Sequence, residues 1–359
     1  MKESKPLSLS LPVPYSTKDW HGMPYRVVGR SGLRASAVGI GAWKFGLPET
    51  GDNARVDEKT AFAIFDRAIE LGVTFWDTAN RYNDGSGNSE RVIGRWLTAN
   101  ADQRSNVIVC TKCYGGVDGT TPNHSGLSRQ NVLNSVYASL ERLDQDYIDI
   151  LYFHQFDTET PIEESLTAVE DLVQSDMVRY FAVSNFTVDQ LKMYDAAIRQ
   201  ISPRCRMIAV QNRFNLLTGE TLDSPGPTGK VVDRSGVLDY CAKNGLSLVA
   251  WSPLAQGLLT DRYLDLSKVG AGDRLYDEGS LERAARAEVI AKQKALADLA
   301  RSWGMPLSEL ALGYMLTLPG MGPLIPSVSS VKQLESNARA ASMTLSDEQK
   351  QAVRAIVGY

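Results

Sequence analysis

Eight apolar runs of strand length, each separated from the next by enough chain for a helix, constrain this sequence more than any other feature. They fall at 37–43 (AVGIGAW), 74–79 (TFWDTA), 106–112 (NVIVCTK), 147–154 (YIDILYFH), 178–185 (VRYFAVSN), 206–212 (RMIAVQN), 246–252 (LSLVAWS) and 322–327 (GPLIPS). Strands that are apolar almost throughout must be covered on both faces, the condition of a parallel sheet wrapped by helices. The intervals agree. EKTAFAIFDRAIELG carries apolar residues at Phe62, Ile64, Phe65, Ala68, Ile69 and Leu71 and stops at Gly72, while SRQNVLNSVYASLERL opens on a capping serine, Ser128. Eight such units predict an α/β fold of the closed (β/α)8 TIM barrel type rather than an open doubly wound sheet.

Two further segments stand out. PYRVVGRSGLRAS has short apolar pieces around Gly29 to Gly32, which predicts an N-terminal β-hairpin placed to plug the barrel floor. Residues 260–287, rich in Gly, Asp and Arg, predict a long loop after strand seven, of a size usually found in lids and binding loops. The expected organisation is an arm over residues 1–22 and a single domain over 23–359. The arm is too short of apolar residues, and too broken by serine and proline, to read as a secretion signal.

Composition narrows the function. The formal charge of −4 comes from 38 basic and 42 acidic residues without a basic block, which argues against nucleic acid or an anionic membrane as partner. No run reaches the length of a membrane span. Four cysteines, Cys110, Cys113, Cys205 and Cys241, suit reduced thiols and a cytoplasmic setting. Cys110 and Cys113 match C-x-x-C, but at the end of a strand, where no helix N-terminus lowers a thiol pKa. Three histidines, none in a spaced pair, predict no metal site. The glycines of AVGIGAW lack the G-x-G-x-x-G spacing that opens a dinucleotide-binding helix.

In a barrel the C-terminal ends of the strands share one face, so Asp77, Lys112, His154, Asn185, Gln211 and Trp251 belong together. Taken singly, each has an ordinary structural reading. An aspartate that closes an apolar strand needs a cation, and Lys112, ending the next strand, is the expected one. The set suits proton donation to an oxyanion, with Tyr82 as the acid. A free tyrosine titrates at about 10. One ammonium at about 4 Å and an effective dielectric of about 20 contributes roughly 4 kcal/mol, or about three pKa units. Lys112 is therefore expected to bring Tyr82 into range, with Asp77 holding the ammonium and His154 orienting a carbonyl oxygen.

From about Tyr25 onward the chain resembles the aldo-keto reductases, including the potassium-channel β-subunit branch. The resemblance rests on FWDTANRY, GNSERVIGRWL, IVCTK, GLSRQNVLNSVYASLERLDQDYIDILYFHQFD, VSNF, VQNRFN, WSPLAQGLL and IPSVSSVKQLESN, in that order. It implies a catalytic tetrad of Asp77, Tyr82, Lys112 and His154. It implies that Ser184, Asn185 and Gln211 bind the nicotinamide carboxamide and that Trp251 stacks on the ring. Gly41, Trp43, Asp77, Ser252, Pro253, Leu254, Gln256 and Gly257 would contact the rest of the cofactor, with Gln333 and Asn337 at its adenine end. Ser327 and Ser329 stand where many members carry glycine or lysine and a basic residue for the 2′-phosphate. Arg262 or Arg274 in the long loop is the expected replacement, and NADP(H) is favoured over NAD(H). The glycine-rich insertion after Tyr82 would reshape one wall of the pocket.

The expected activity is interconversion of an aldehyde, ketone or keto-sugar with its alcohol. Trp43, Phe45, Tyr82, Tyr114, His154 and Trp251 are the substrate candidates, with His124 from a loop. Two rivals remain open: Schiff-base chemistry at Lys112, which its pairing with Asp77 opposes, and a cofactor-binding regulatory subunit with little turnover. The expectation includes an oligomer as possible.

Overall fold

The computed structural model describes residues 19–116, 119–201, 205–220 and 232–359. Three short strands come first: β1 (Asp19–Trp20), β2 (Met23–Val27) and β3 (Arg34–Ser36), paired antiparallel in that order. The eight predicted strands follow as β4 (Ile40–Gly41), β5 (Phe75–Asp77), β6 (Ile108–Cys113), β7 (Ile148–Phe153), β8 (Val178–Ser184), β9 (Met207–Arg213), β10 (Ser247–Trp251) and β11 (Met321–Ile325). Each is hydrogen-bonded to the next, all parallel. The first meets the last through parallel bridges from Val38 to Leu324 and from Gly41 to Ser327. The fold is the expected (β/α)8 barrel.

Local chemistry sets the boundaries of the covering helices. Asp57 accepts from Thr60 N at 2.8 Å and starts helix Glu58–Glu70, while Ser128 accepts from Asn131 N at 3.3 Å and starts helix Arg129–Leu143. The first of these buries Ala61, Ile64, Phe65 and Ala68, and Phe65 stacks on Trp76 of β5 with centroids 4.3 Å apart. Pairs of this kind hold the outer helical layer on the sheet.

The hairpin closes the barrel floor, as its position in the sequence suggests. Val28 and Ala35 are fully buried with Phe75, Ile108, Tyr152, Ile208 and Val249 inside the barrel. Gly29 N donates to Ser247 Oγ at 2.8 Å. A Cβ at Gly29 would sit 2.0 Å from the Ile208 carbonyl oxygen, so only glycine fits there. Asp19 and Trp20 pair with Pro24 and Met23, which gives the end of the expected arm to the hairpin sheet. Residues 1–18 of that arm lie outside the described residues.

The interval 260–287 is more ordered than a loop. It folds into short turns at Asp261–Tyr263, Leu266–Lys268, Arg274–Asp277 and Leu281–Ala284. Arg55 pairs with Asp277 at 2.8 Å, and Gln293 Nε2 donates to Leu258 O and Tyr263 O at 2.6 and 3.1 Å. These contacts fasten the segment over the C-terminal end of the barrel. Among the described residues, no helix is long and apolar enough to cross a membrane.

Candidate active site

Parallel pairing of β5 with β6 places Asp77 opposite Cys110, two residues before Lys112. Lys112 Nζ thus reaches both Asp77 carboxylate oxygens at 2.7 and 2.8 Å, Thr78 O at 2.7 Å and Tyr82 Oη at 2.7 Å. Tyr82 Oη lies 3.3 Å from Asp77 Oδ2, and Gln211 Nε2 donates to Asp77 Oδ1 at 2.6 Å. The carboxylate is therefore fully engaged although it is buried, as the cost of an unpaired buried charge requires. Tyr82 arrives here through a turn after β5 in which Tyr82 N donates to Ala79 O, and the chain leaves it through Asn83 and Asp84, both at left-handed φ. The His154 ring meets the Tyr82 ring edge-on at 6.0 Å, and its backbone is pinned by Cys113 O and by Asn185 Nδ2.

The electrostatics depart from the simple expectation. Burial and the adjacent Asp77 carboxylate hold the Tyr82 phenol well above its ordinary pKa. Burial lowers the Lys112 ammonium and raises the Asp77 carboxyl, each opposed by the other member of the pair. Because Asp77 answers the Lys112 charge at the same spot, the net field on the phenol is small. The anticipated drop of about three units is absent: the phenol is raised instead. Burial, with Lys112 and Arg81 nearby, lowers His154 to about 3, so its imidazole is neutral at physiological pH.

Asp77, Tyr82, His154 and Gln211 form the floor of a cavity of about 640 Å³ at the C-terminal end of the barrel, with Lys112 buried behind them. Of the sequence-derived candidates, Gly41, Trp43, Asp77, Tyr82, His154, Ser184, Asn185, Gln211, Trp251, Ser252 and Ser327 line it. Phe45 is not a pocket residue: it is fully buried, packs on Phe65 at 5.5 Å and is drawn inward by a turn from Phe45 N to Ala42 O. Tyr114 packs against the core, and its carbonyl is used by Gly126 N and Asn131 Nδ2. His124 lies against Gly119, also away from the cavity wall.

Arg262 is tied to Asp273 at 2.6 and 2.7 Å, whereas Arg274 reaches the cavity and stands 4.5 Å over the Trp43 ring. Gln333 accepts from Ser329 N and Oγ, and Asn337 is buried; neither lines the cavity, nor do Pro253, Leu254, Gln256 and Gly257. The sequence reading missed Lys44, Arg81, Asn83, Asp84 and, on the last strand, Ile325, which also line it. For the first four, proximity in sequence to Trp43 and Tyr82 was the available signal. The C-x-x-C pair is inert in setting: Cys110 and Cys113 are buried, and the Cys113 thiol is pushed up to about 12.

The aldo/keto reductase family model matches residues 37–357. The chain belongs to this family. It is 32% identical to an Alternaria alternata protein named aldo-keto reductase AMT2, over 91% of this chain and 89% of that one. The L-glyceraldehyde 3-phosphate reductase of Escherichia coli K12 is 31% identical, over 89% of this chain and 87% of the relative. A probable voltage-gated potassium channel subunit beta from Oryza sativa is 30% identical, over 89% and 91%.

Aldo/keto reductases use nicotinamide cofactors, and the cavity of this member fits one. Trp251 supplies an aromatic face, and Ser184, Asn185 and Gln211 supply amide and hydroxyl groups on the same side. Gly41 opens the wall, since a Cβ there would sit 2.9 Å from Ile325 O and 3.3 Å from Ser327 Oγ. After Trp251 the backbone takes left-handed φ at Ser252, Ala255, Gln256 and Gly257, in a tight turn whose Ala255 and Gly257 amides donate to Ser252 O and Leu254 O at 2.9 Å.

Proposed function

We propose that this aldo/keto reductase is an NAD(P)(H)-dependent oxidoreductase that interconverts a carbonyl compound and its alcohol, with Tyr82 passing the proton. The reading is carried by the contact of Tyr82 Oη with Lys112 Nζ at 2.7 Å, at the floor of a cavity that His154 also lines. The bound nicotinamide supplies the hydride from C4. Tyr82 is held protonated, and so is ready to donate to the carbonyl oxygen as negative charge develops there. Loss of that proton leaves a phenolate 2.7 Å from the ammonium of Lys112, which stabilises it. Neutral His154 donates a hydrogen bond to the same oxygen and orients the carbonyl. Asp77 keeps Lys112 charged and fixed.

Ser184, Asn185, Gln211 and Trp251 are assigned to the nicotinamide, and Gly41, Trp43, Ser252 and Ser327 to the adjoining part of the cofactor. NADP(H) is favoured over NAD(H), with Arg274 rather than Arg262 as the loop cation that meets a phosphate. That choice is supported by the position of Arg274 on the cavity wall, which Arg262 does not line.

The test is oxidation of NADPH and of NADH with a panel of aldehydes, ring ketones and keto-sugars, comparing wild type with Tyr82→Phe. Turnover that falls by about 10²- to 10⁴-fold in the variant, the range expected for loss of a general acid, with cofactor affinity retained, supports the assignment. Cofactor binding without turnover of any carbonyl by wild type overturns it in favour of a regulatory subunit.

A further inference from the structure

Two cations on the cavity wall, Arg81 and Lys44, stand outside the ion pairs of the site. Asp77 and Lys112 neutralise each other at the floor, and Arg274 is answered by Glu278 at 3.1 Å. Lys44, half-buried at the rim, is held below the usual lysine pKa by burial, the fields of Glu278 and Asp84 being opposed by those of Arg274 and Arg55, and the Asp84 carboxylate accepts from Asn53 Nδ2. Arg81 lines the same cavity from an exposed position, and its guanidinium has no hydrogen-bond or ion-pair partner among the described residues.

Its position is defined nonetheless. Arg81 immediately precedes Tyr82, and its stem lies across Gly115, where a Cβ would sit 2.2 Å from Arg81 Cδ and 3.2 Å from both Nε and Nη1. Asn80 Nδ2 fixes that supporting turn by donating to Gly115 O at 3.1 Å. The Arg81 charge is close enough to act on His154 across the cavity. A guanidinium is a permanent cation whose planar fork of donors matches carboxylate and phosphate oxygens. Beside Tyr82 and His154, it faces whatever carbonyl compound enters.

We propose that Arg81 is a specificity-determining residue that binds an oxyanion group, carboxylate or phosphate, carried by the carbonyl substrate. Short anionic carbonyl compounds are then preferred to neutral ones of the same size. This rests on the carbonyl-reductase reading of the site.

The experiment compares kcat/KM for succinate semialdehyde against butanal and for glyceraldehyde 3-phosphate against glyceraldehyde, in wild type, Arg81→Gln and Arg81→Lys. Wild type is expected to prefer the anionic member of at least one pair by tenfold or more, and the pair concerned tells carboxylate from phosphate. Arg81→Gln should lower that preference by about 10- to 100-fold, the range for losing charge-assisted hydrogen bonds, and Arg81→Lys should retain part of it. A merely structural role would lower both members of a pair together, and an unchanged ratio in Arg81→Gln overturns the proposal.

A second readout is independent of turnover: calorimetric titration of NADP⁺-loaded protein with 4-hydroxybutanoate and with butan-1-ol. Binding of the hydroxy acid at least tenfold tighter in wild type, lost in Arg81→Gln, supports the oxyanion site even if no aldehyde is reduced, a result that would sink only the reductase reading. Equal binding of the two ligands overturns the site itself.

Discussion

Lys112 Nζ stands 2.7 Å from Tyr82 Oη while holding both oxygens of Asp77. The ammonium therefore serves two partners of opposite need. Toward Asp77 it is a counter-ion, and that role cancels most of the field it would otherwise exert on the phenol. Its influence on Tyr82 is reserved for the moment when the phenol gives up its proton and the local charge changes.

The first prediction follows from that balance. In cofactor-free protein, Tyr82 should remain a phenol well past the usual tyrosine range, because burial and Asp77 both raise it. Titration at the tyrosinate absorbance should give the same signal up to about pH 10 for wild type and Tyr82→Phe. A wild-type excess of one tyrosinate appearing near pH 7 would show that Lys112 dominates after all.

The same pair sets a stability expectation. The side chains of Lys112 and Asp77 are 0% and 2% exposed, so removing one partner strands a charge in the barrel. Lys112→Met and Asp77→Asn should each destabilise the fold by about 3–5 kcal/mol, and the double variant by less than the sum. Urea unfolding measures all three. Additive losses would mean that the two groups are independently solvated.

How far the site could be read from sequence depended on whether a residue's direction was fixed by strand periodicity. Asp77, Lys112 and Gln211 sit in or at the ends of apolar strands in a parallel barrel, so their convergence was legible. Phe45 and Tyr114 lie just beyond strand ends, where one turn decides whether a ring faces the cavity or the core, and both turn away. Arg81 was hidden for the reverse reason: a loop arginine reads as solvated surface until the glycine beneath it is seen to carry its stem. The barrel was legible from eight apolar runs. The short turns of 261–284 were not, because such elements depend on tertiary anchors such as Arg55 with Asp277 rather than on periodicity.

Acid should weaken the protein through His154. Its folded-state pKa is depressed to about 3, against about 6.5 in the unfolded chain, so between these values the unfolded state takes a proton that the folded state refuses. This contribution favours folding above about pH 6.5 and is lost as pH falls toward 3, with a slope of at most about 1.4 kcal/mol per unit. His154→Gln removes it. Stabilities measured at pH 7.5 and pH 5 should show the variant gaining on wild type at the lower pH. A constant difference between them would place the imidazole in contact with water and return its pKa to normal.

Two glycines of the floor hairpin, three residues apart, should respond in opposite ways. Gly29 has φ +54 and stands where a methyl group would meet the Ile208 carbonyl oxygen, whereas Gly32 has open space around its Cβ direction and no left-handed φ. An alanine at position 29 must enter the left-handed region, at roughly 1–2 kcal/mol, and must also push β9 or the hairpin aside. Gly29→Ala is thus expected to cost more than about 2 kcal/mol. Gly32→Ala narrows only the unfolded ensemble and should be neutral or stabilising by up to about 1 kcal/mol. Thermal and urea unfolding of the two variants decide the matter. Equal stabilities would mean that the hairpin does not bear on the barrel floor as Val28, Gly29 and Ala35 place it.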